Sequence, residues 1–314
     1  MGAVDTDAIL EDLRPYRDDD IEQLATLMHE ARTWPPVGKP APDDILMRWR
    51  RRHVTPETDV AVLPGPHGEL IAYLLTTEWT EGVPRLGFEL GVLPNFRRRG
   101  IGSALLEIAH RRCQQSALSY MTTPVHRLPE EGPPEGALFL ERRGFKSEHR
   151  YWQMRLDDIG RQAKAQWPSG ITWRRFEHAE RDAQIWARLV RESFREDTTA
   201  ESIVRQISEP GNDPQGYFFA VDAATGKEIG TSRARIDLYN GTPTGYIGTV
   251  GVLPEYRGRG IATALVQHTV NYLAGLGIHS ATLFVEEGNI PARSLYAKLG
   301  WKPVYRTDHY WKRL

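Results

Sequence analysis

The chain has 314 residues, and at about 100–200 residues per domain this length predicts two domains. Its composition is 40% hydrophobic and 26% charged, which excludes a disordered or collagen-like protein. Forty basic and forty-one acidic side chains give a formal net charge of −1. Because no overall charge favours nucleic acid or an anionic membrane, we expect neither as a partner.

The N-terminal sequence and the cysteine content predict where the protein resides. Residues 1–13, MGAVDTDAILEDL, lack the basic-then-apolar pattern of a secretory signal. No apolar run approaches the ~20 residues that span a membrane. The single cysteine, Cys113, cannot form an internal disulfide and is predicted to lie on a helix face or boundary. These features together predict a reducing, cytoplasmic setting.

An internal repeat organises the chain. Residues 91–102 read GVLPNFRRRGIG and residues 251–262 read GVLPEYRGRGIA, with eight of the twelve positions identical at an offset of 160. The polar stretch 157–170 ends in Pro-Ser-Gly, which is typical of a linker. We therefore predict one domain over residues 1–156, a linker over 157–170 and a second copy of the domain over 171–314.

The predicted elements alternate between helix and strand. In chain order they are a helix over Ile101–Arg112, then a helix over Asp182–Arg195, strands over Tyr217–Val221 and Ile229–Tyr239, a hairpin turn at Asn240-Gly241, a strand over Tyr246–Val252, a helix over Ile261–Leu276, a strand over Ala281–Val285 and a helix over Ala292–Leu299. This order predicts a mixed α/β fold, built twice, in which each copy is a mostly antiparallel sheet with flanking helices.

The strongest chemical signal is the segment RGRGIA at 257–262, between a predicted strand and a predicted helix. Free N–H groups and the dipole at a helix start favour an anion, and glycines let a ligand approach the backbone. A pyrophosphate suits such a loop. Two better-known phosphate loops do not match: G-x-x-x-x-G-K-[ST] is absent, and a dinucleotide G-x-G-x-x-G would need glycine where Thr263 stands.

These motifs resemble the GNAT acetyltransferase superfamily, in its tandem two-domain form. The family's phosphate loop, R/Q-x-x-G-x-G/A, is matched by Arg257, Gly260 and Ala262, and again by Arg97, Gly100 and Gly102. Residues 289–301, NIPARSLYAKLGW, are similar to the family signature N-x-x-A-x-x-L-Y-x-x-x-G-F, with Trp in place of Phe. The resemblance covers nearly all of residues 171–314 and, more weakly, residues 10–156.

The resemblance implies acetyl-CoA as the cofactor. It implies a pyrophosphate-binding loop formed by Arg257, Gly258, Arg259, Gly260, Ile261, Ala262 and Thr263. It implies further cofactor contacts from strand residues Val250, Gly251 and Val252 and from Asn289 and Ala292. The corresponding positions of the first half are Arg97, Arg99, Gly100 and Gly102. A bulge in the strand before the loop would open a slot for the thioester and provide a free N–H for the oxyanion.

The family's general acid corresponds to Tyr296, whose phenol would protonate the leaving thiolate of CoA. The general base stays open. Many family members carry a glutamate on the strand before the loop, but Thr249 occupies that position. Tyr246 and Glu286 are candidates, Asp237 is a weaker one, and deprotonation through water is a further alternative.

The first half departs from the family pattern. Alignment on the glycine that ends the signature places Leu140 opposite Tyr296 and Pro133 opposite Asn289. Glu89, conversely, stands opposite Thr249. We predict a degenerate domain, which either binds CoA through residues 97–103 or only supports the substrate cleft.

The leading functional hypothesis is an acetyl-CoA-dependent N-acetyltransferase that acts on a primary amine of a small molecule. The alternatives are acetylation of a protein N-terminus or lysine, and a non-catalytic acyl-CoA sensor. The histidines show no H-E-x-x-H spacing, so no metal site is predicted. The oligomeric state stays open, one alternative being a monomer whose two halves replace a homodimer.

Overall fold

The computed structural model describes residues 11–80, 82–209 and 211–314. Most of the N-terminal stretch from which the absence of a secretory signal was predicted lies outside these ranges. No helix within them is long and apolar enough to cross a membrane.

The described residues form both helices and strands. The helices are α1 (Ile21–Glu30), α2 (Pro42–Arg51), α3 (Pro56–Asp59), α4 (Ile101–Gln115), α5 (Glu135–Glu141), α6 (Ala179–Phe194), α7 (Ala200–Ile207), α8 (Ile261–Gly275) and α9 (Ile290–Lys298). The strands are β1 (Arg14–Pro15), β2 (Val60–Pro64), β3 (Leu70–Trp79), β4 (Arg85–Val92), β5 (Tyr120–Arg127), β6 (Lys146–Leu156), β7 (Ile171–Arg175), β8 (Asn212–Asp222), β9 (Glu228–Tyr239), β10 (Thr242–Val252), β11 (Ala281–Glu286) and β12 (Lys302–Arg313).

The chain divides into two compact units. The first consists of residues 1–152, 286–288 and 303–314, and the second consists of residues 153–285 and 289–302. The C-terminal strand β12, which follows the second copy of the repeat in sequence, therefore groups almost entirely with the first unit. The predicted domain limits, 1–156 and 171–314, follow the sequence repeat, whereas this division follows spatial contacts. The two sets of limits differ, and the domain limits stay a prediction.

The first unit is built on a sheet with the strand order β1-β2-β3-β4-β5-β12-β6. The β1/β2, β2/β3, β3/β4 and β5/β12 pairs are antiparallel, and β4 and β5 are parallel. Helix α4 packs its buried face, which includes Leu105 and Ala109, against Leu74, Leu86 and Phe88 of the sheet. A separate cluster around Leu24, Ile45 and Trp49 joins α1 and α2 to β2 and β3.

The second unit repeats this arrangement with the strand order β11-β10-β9-β8-β7. Its strands are antiparallel except for the parallel pair β10/β11. The core between α6 and the sheet includes Trp186, Tyr217 and Phe219, all fully buried.

The predicted fold class is confirmed: the architecture is mixed α/β, with mostly antiparallel sheets and flanking helices. Most predicted elements are found, with shifted ends. The predicted strand Tyr217–Val221 extends to Asn212–Asp222, and the predicted helix Ile261–Leu276 ends at Gly275. Helix α4 runs past Arg112 to Gln115, so Cys113 lies inside a helix and not at its end.

Candidate active site

In the second unit, the loop between β10 and α8 exposes backbone N–H groups at a helix start. Gly258 and Gly260 have φ of +77° and +81°, a left-handed conformation that glycine adopts without steric cost. The N–H groups of residues 258–262 make no hydrogen bond with any described residue. Their freedom, together with the dipole of α8, makes this loop suited to bind an anion.

Arg257 holds the loop in place. Its Nε donates to the main-chain oxygen of Val252 at 3.0 Å, and its Nη2 donates to the main-chain oxygen of Ser193 at 2.9 Å. Arg259 donates to the main-chain oxygen of Glu255 at 3.3 Å. Both guanidinium groups therefore contact backbone around the loop, which leaves the free N–H groups as its principal anion donors.

Strands β10 and β11 separate next to this loop. Their parallel pairing is limited to Gly245 with Ala281 and Tyr246 with Thr282. Beyond these pairs β10 contains a bulge, where its register with β9 shifts between Gly248 and Gly251. This separation lies where the family resemblance predicts the slot for the thioester.

Thr249 is the centre of the bulge. Its φ is +52°, which is unusual for a β-branched residue, and its carbonyl oxygen accepts a hydrogen bond from Thr231 Oγ1 at 2.8 Å. Gly251 lies close to α6, since an added Cβ would approach Phe194 Cε2 to 2.8 Å. Val250 follows Thr249 in the bulge, and Val252 ends the strand at the contact with Arg257.

Tyr296 lies on α9 and is 6% exposed. Burial, with a further contribution from Tyr246, raises its pKa above the ordinary value. Its ring packs edge-on against Trp301, with the centroids 6.1 Å apart. The phenol therefore stays protonated at neutral pH.

Asn289 begins α9 as its N-cap. Its Oδ1 accepts a hydrogen bond from the backbone N–H of Ala292 at 3.2 Å. The hydrogen bond between Asn289 and Ala292, two residues of the 289–301 motif, thus stabilises the start of the helix that carries Tyr296.

The candidate bases differ in their surroundings. Tyr246 is half-buried on β10, and the guanidinium of Arg235 lies 4.2 Å from its ring centroid. Asp237 accepts hydrogen bonds from both Nε and Nη2 of Arg235, so its carboxylate is held in an ion pair. Glu286 is exposed at the end of β11 and groups with the first unit.

The first unit has an equivalent loop beside a cavity of about 950 Å³. Gly100 has φ of +84°, and Gly102 begins helix α4 with Ile101. Arg97 donates to the main-chain oxygen of Val92 at 3.2 Å, as Arg257 does to Val252, and it also pairs with Glu135 at 2.9 Å. Arg99 donates to the main-chain oxygen of Asn95.

The rest of the first site is changed. The register between β3 and β4 is regular from Trp79/Arg85 to Ala72/Val92, so this strand has no bulge. Leu140 packs in the core, and Pro133 lines the cavity. The first unit therefore retains the anion loop without the bulge or the phenol.

Glu89, which occupies the usual position of the base, is neutralised by two arginines. Arg48 donates to Glu89 Oε1 at 2.6 Å, and Arg52 donates to the same oxygen. Burial acts to raise the pKa of Glu89, but the two guanidinium groups outweigh it and hold the pKa below its ordinary value. A carboxylate in this state is a poor proton acceptor.

The single cysteine lies in the hydrophobic core of the first unit. Cys113 is fully buried, and burial raises the pKa of its thiol. Within residues 11–80, 82–209 and 211–314, no group of three or more His, Cys, Asp or Glu side chains could hold a metal ion.

The duplicated fold and its two glycine-containing loops, at 97–103 and 257–263, define a class of protein. Comparison with known sequences identifies the same class. Residues 173–301 match the Acetyltransferase (GNAT) family, and residues 57–147 match an Acetyltransferase (GNAT) domain. The chain belongs to the GNAT acetyltransferase family and is an N-acetyltransferase with two tandem domains.

Similar sequences include two proteins named mycothiol acetyltransferase. That of Thermobispora bispora is 30% identical over 220 residues, which cover 68% of this chain and 71% of the relative. That of Thermobifida fusca is 27% identical over 277 residues, which cover 81% and 82% of the two chains.

Two solved structures share the whole fold. A GCN5-related N-acetyltransferase from Sphaerobacter thermophilus has a TM-score of 0.80 at 24% identity and covers 96% of this chain and 95% of its own. A tandem GNAT protein from the clavulanic acid biosynthesis pathway has a TM-score of 0.72 at 21% identity, with 96% and 98% covered. At these identities the likeness concerns the fold.

Sequence reasoning missed Arg233 on β9, which is 8% exposed and lies beside the bulge. The available signal was a basic residue inside a strand whose other face is apolar. That pattern predicts a strand face exposed to solvent, whereas in the structure Arg233 is buried.

Proposed function

We propose that the C-terminal half transfers an acetyl group from acetyl-CoA to a primary amine of a small molecule. The observation that carries this proposal is the combination found in the second unit: a loop with free N–H groups, a bulged strand and the buried phenol of Tyr296. The first unit retains only the loop.

The residues at the loop fit the donor. Positive φ at Gly258 and Gly260 turns successive N–H groups outward, and the start of α8 adds partial positive charge. Residues 257–263 would hold the pyrophosphate mainly through backbone N–H groups. The unpaired edge of β10 at 250–252 would pair with the amide groups of the pantetheine arm, beside Asn289 and Ala292.

Acetyl-CoA supplies a thioester, whose C–S bond breaks as the amine nitrogen forms its bond to the acetyl carbon. Tyr296 would give its proton to the leaving sulfur, because burial keeps the phenol protonated until the developing thiolate provides a base beside it. A free N–H in the bulge at 249–251 would stabilise negative charge on the carbonyl oxygen.

For the amine proton we favour transfer to solvent through a water molecule beside the Tyr246 hydroxyl, which can relay the proton but not retain it. Tyr246 is half-buried on the strand that carries the bulge, whereas Glu286 is exposed and groups with the other unit. Contact with Arg235 holds the Tyr246 ring in place on the strand.

We propose that the first half binds a ligand without transferring its acyl group. The cavity of about 950 Å³ beside residues 97–103 supports binding. Leu140 has no proton to give and Glu89 is neutralised, so general acid and base are both missing.

The test is release of free thiol from acetyl-CoA with a panel of amines. We expect Tyr296→Phe to lower kcat about 100-fold or more while CoA affinity stays unchanged, since the phenol acts on the leaving group. Tyr272→Phe is the matched control, because it removes a hydroxyl on α8 that bonds Asp213. Unchanged turnover of Tyr296→Phe would refute its role as acid.

The same panel separates the alternatives. Turnover of peptides alone would favour acetylation of protein N-termini or lysines. Binding of CoA with no thiol release for any amine would favour an acyl-CoA sensor.

A further inference from the structure

Arg233 is a buried cation that makes no ion pair within the described part of the chain. It is 8% exposed, and none of its nitrogen atoms is paired with a carboxylate of the described residues. The neighbouring Arg235 takes Asp237 in a two-bond ion pair, and the carboxylate of Glu209 also acts electrostatically on Arg235. A buried charge left unpaired is strongly destabilising, so an unpaired arginine at this position requires an explanation.

The groups around Arg233 offer donors in excess. Its Nη1 donates to the hydroxyl of Tyr217 at 3.4 Å, and that hydroxyl donates in turn to Asn212 Oδ1 at 3.1 Å. Nε of Arg233 and Nδ2 of Asn212 are buried N–H donors without an acceptor among the described residues. Buried donors of this kind are normally satisfied, so the network lacks an acceptor-rich group.

The position of Arg233 connects this donor network with the proposed reaction site. Arg233 pairs with Gly248 across the sheet, immediately before the bulge at Thr249. A Cβ at Gly248 would lie 3.3 Å from Arg233 Nε and 2.8 Å from Tyr246 Cε1, so glycine lets both side chains lie against the strand.

We infer that the acceptor of the second unit carries a carboxylate, which binds Arg233 and the donors beside it, and that the substrate is therefore an amino acid or a compound built on one. One guanidinium with neutral hydroxyl and amide neighbours matches a single negative charge better than a phosphate dianion. The equivalent strand of the first unit, β3, has no charged side chain before Glu78, so the site is particular to the second unit. This inference rests on the proposed function and narrows its substrate class.

The experiment compares free amino acids with their own carboxamides as acetyl acceptors. The wild-type protein should prefer acids by about 30-fold or more in kcat/KM, since loss of a buried charge partner has an effect of at least that size. Arg233→Met should abolish the preference while carboxamide turnover changes little, and Arg233→Lys should restore part of it. Arg181→Met removes an exposed charge from α6 and should leave the preference intact.

Thermal unfolding gives a second readout that does not need turnover. Without ligand, Arg233→Met should melt at the same or a higher temperature than the wild type, because it removes an unpaired buried charge. With CoA present, free amino acids should raise the melting temperature of the wild type and carboxamides should not, and Arg233→Met should lose this shift.

Three results would overturn the inference: equal turnover of acids and carboxamides by the wild type, equal loss of both in Arg233→Met, or a lowered melting temperature of that variant without ligand. A carboxylate-dependent thermal shift without any acetyl transfer would instead refute the proposed function and leave the carboxylate site standing.

Discussion

Arg257 Nε donates to the main-chain oxygen of Val252 at 3.0 Å, and this contact joins the last residue of β10 to the anion loop. The same contact recurs in the first unit between Arg97 and Val92 at 3.2 Å. The basic residue that begins the phosphate-loop motif is thus a positioning residue. It fixes where the strand ends and where the free N–H groups begin.

Replacement of Arg257 by lysine tests this positioning role. Lysine keeps the charge but cannot reach two carbonyl oxygens with a planar fork, so the loop should lose its fixed position. We expect the KM for acetyl-CoA to rise about tenfold (~1.4 kcal/mol) with a smaller change in kcat. Steady-state kinetics measure this, with Arg97→Lys as the matched control that leaves KM unaltered. Wild-type kinetics in Arg257→Lys would mean that only the charge matters.

Gly260→Ala tests the left-handed backbone of the loop. The nearest atom to an added Cβ is Pro168 Cγ at 3.7 Å, so space is available and the strain comes from the φ of +81°. We expect the free energy of unfolding to fall by about 1–2 kcal/mol and acetyl-CoA to bind more weakly. Gly100→Ala, at φ of +84°, should lose similar stability without loss of turnover. Loss of turnover in both variants would indicate that both halves are active.

Glu89→Gln separates a structural carboxylate from a catalytic one. Because the carboxylate neutralises Arg48 and Arg52, its loss leaves two partly buried cations unpaired and should lower the free energy of unfolding by about 2 kcal/mol. We expect kcat at a temperature well below unfolding to change less than about twofold, since a general base contributes at least about 100-fold. Denaturant unfolding and thiol release measure the two quantities. A large loss of kcat with unchanged stability would identify Glu89 as a base.

Asp182 should make stability depend on pH. It is fully buried and accepts bonds from both Nη atoms of Arg174 at 2.9 Å and from two backbone N–H groups. Burial acts to raise the pKa of Asp182, but these donors outweigh it and lower the pKa. The stabilisation is therefore complete above the unfolded pKa of about 4 and is lost as the pH falls below it.

We accordingly expect Asp182→Asn to lower the free energy of unfolding by about 3 kcal/mol at neutral pH. The difference from the wild type should shrink as the pH falls below about 4. Denaturant unfolding at several pH values measures it. Asp20→Asn is the matched variant in the first unit, where Arg14 forms the same two-bond pair. A difference that grows in acid would contradict this account.

Local patterns in the sequence predict much of the second unit. The apolar periodicity of α8 and the glycines before it are short-range signals, and both correspond to observed structure. The sequence repeat also predicts that the fold occurs twice. These features depend on neighbours in sequence, which is why they need no knowledge of tertiary contacts.

The features that distinguish the two sites depend on tertiary contacts. Residues 246–252 predict a continuous strand, and nothing local indicates the bulge at Thr249, whose φ is held by the contact with Thr231. The pairing of Glu89 with Arg48 and Arg52 joins residues about forty positions apart. The burial of Arg233 likewise follows from packing across β8, β9 and β10.

Strand β12 has a consequence for how the chain folds during synthesis. It supplies the antiparallel partner of β5, with Arg306 opposite Arg127 and Arg313 opposite Tyr120. The first unit cannot complete its sheet until the ribosome has made residues 303–314, so β5 is left with an open edge throughout translation of the second repeat. A fragment that ends at residue 152 would retain that open edge and should aggregate, so the boundary between the sequence repeats does not separate two independent folding units.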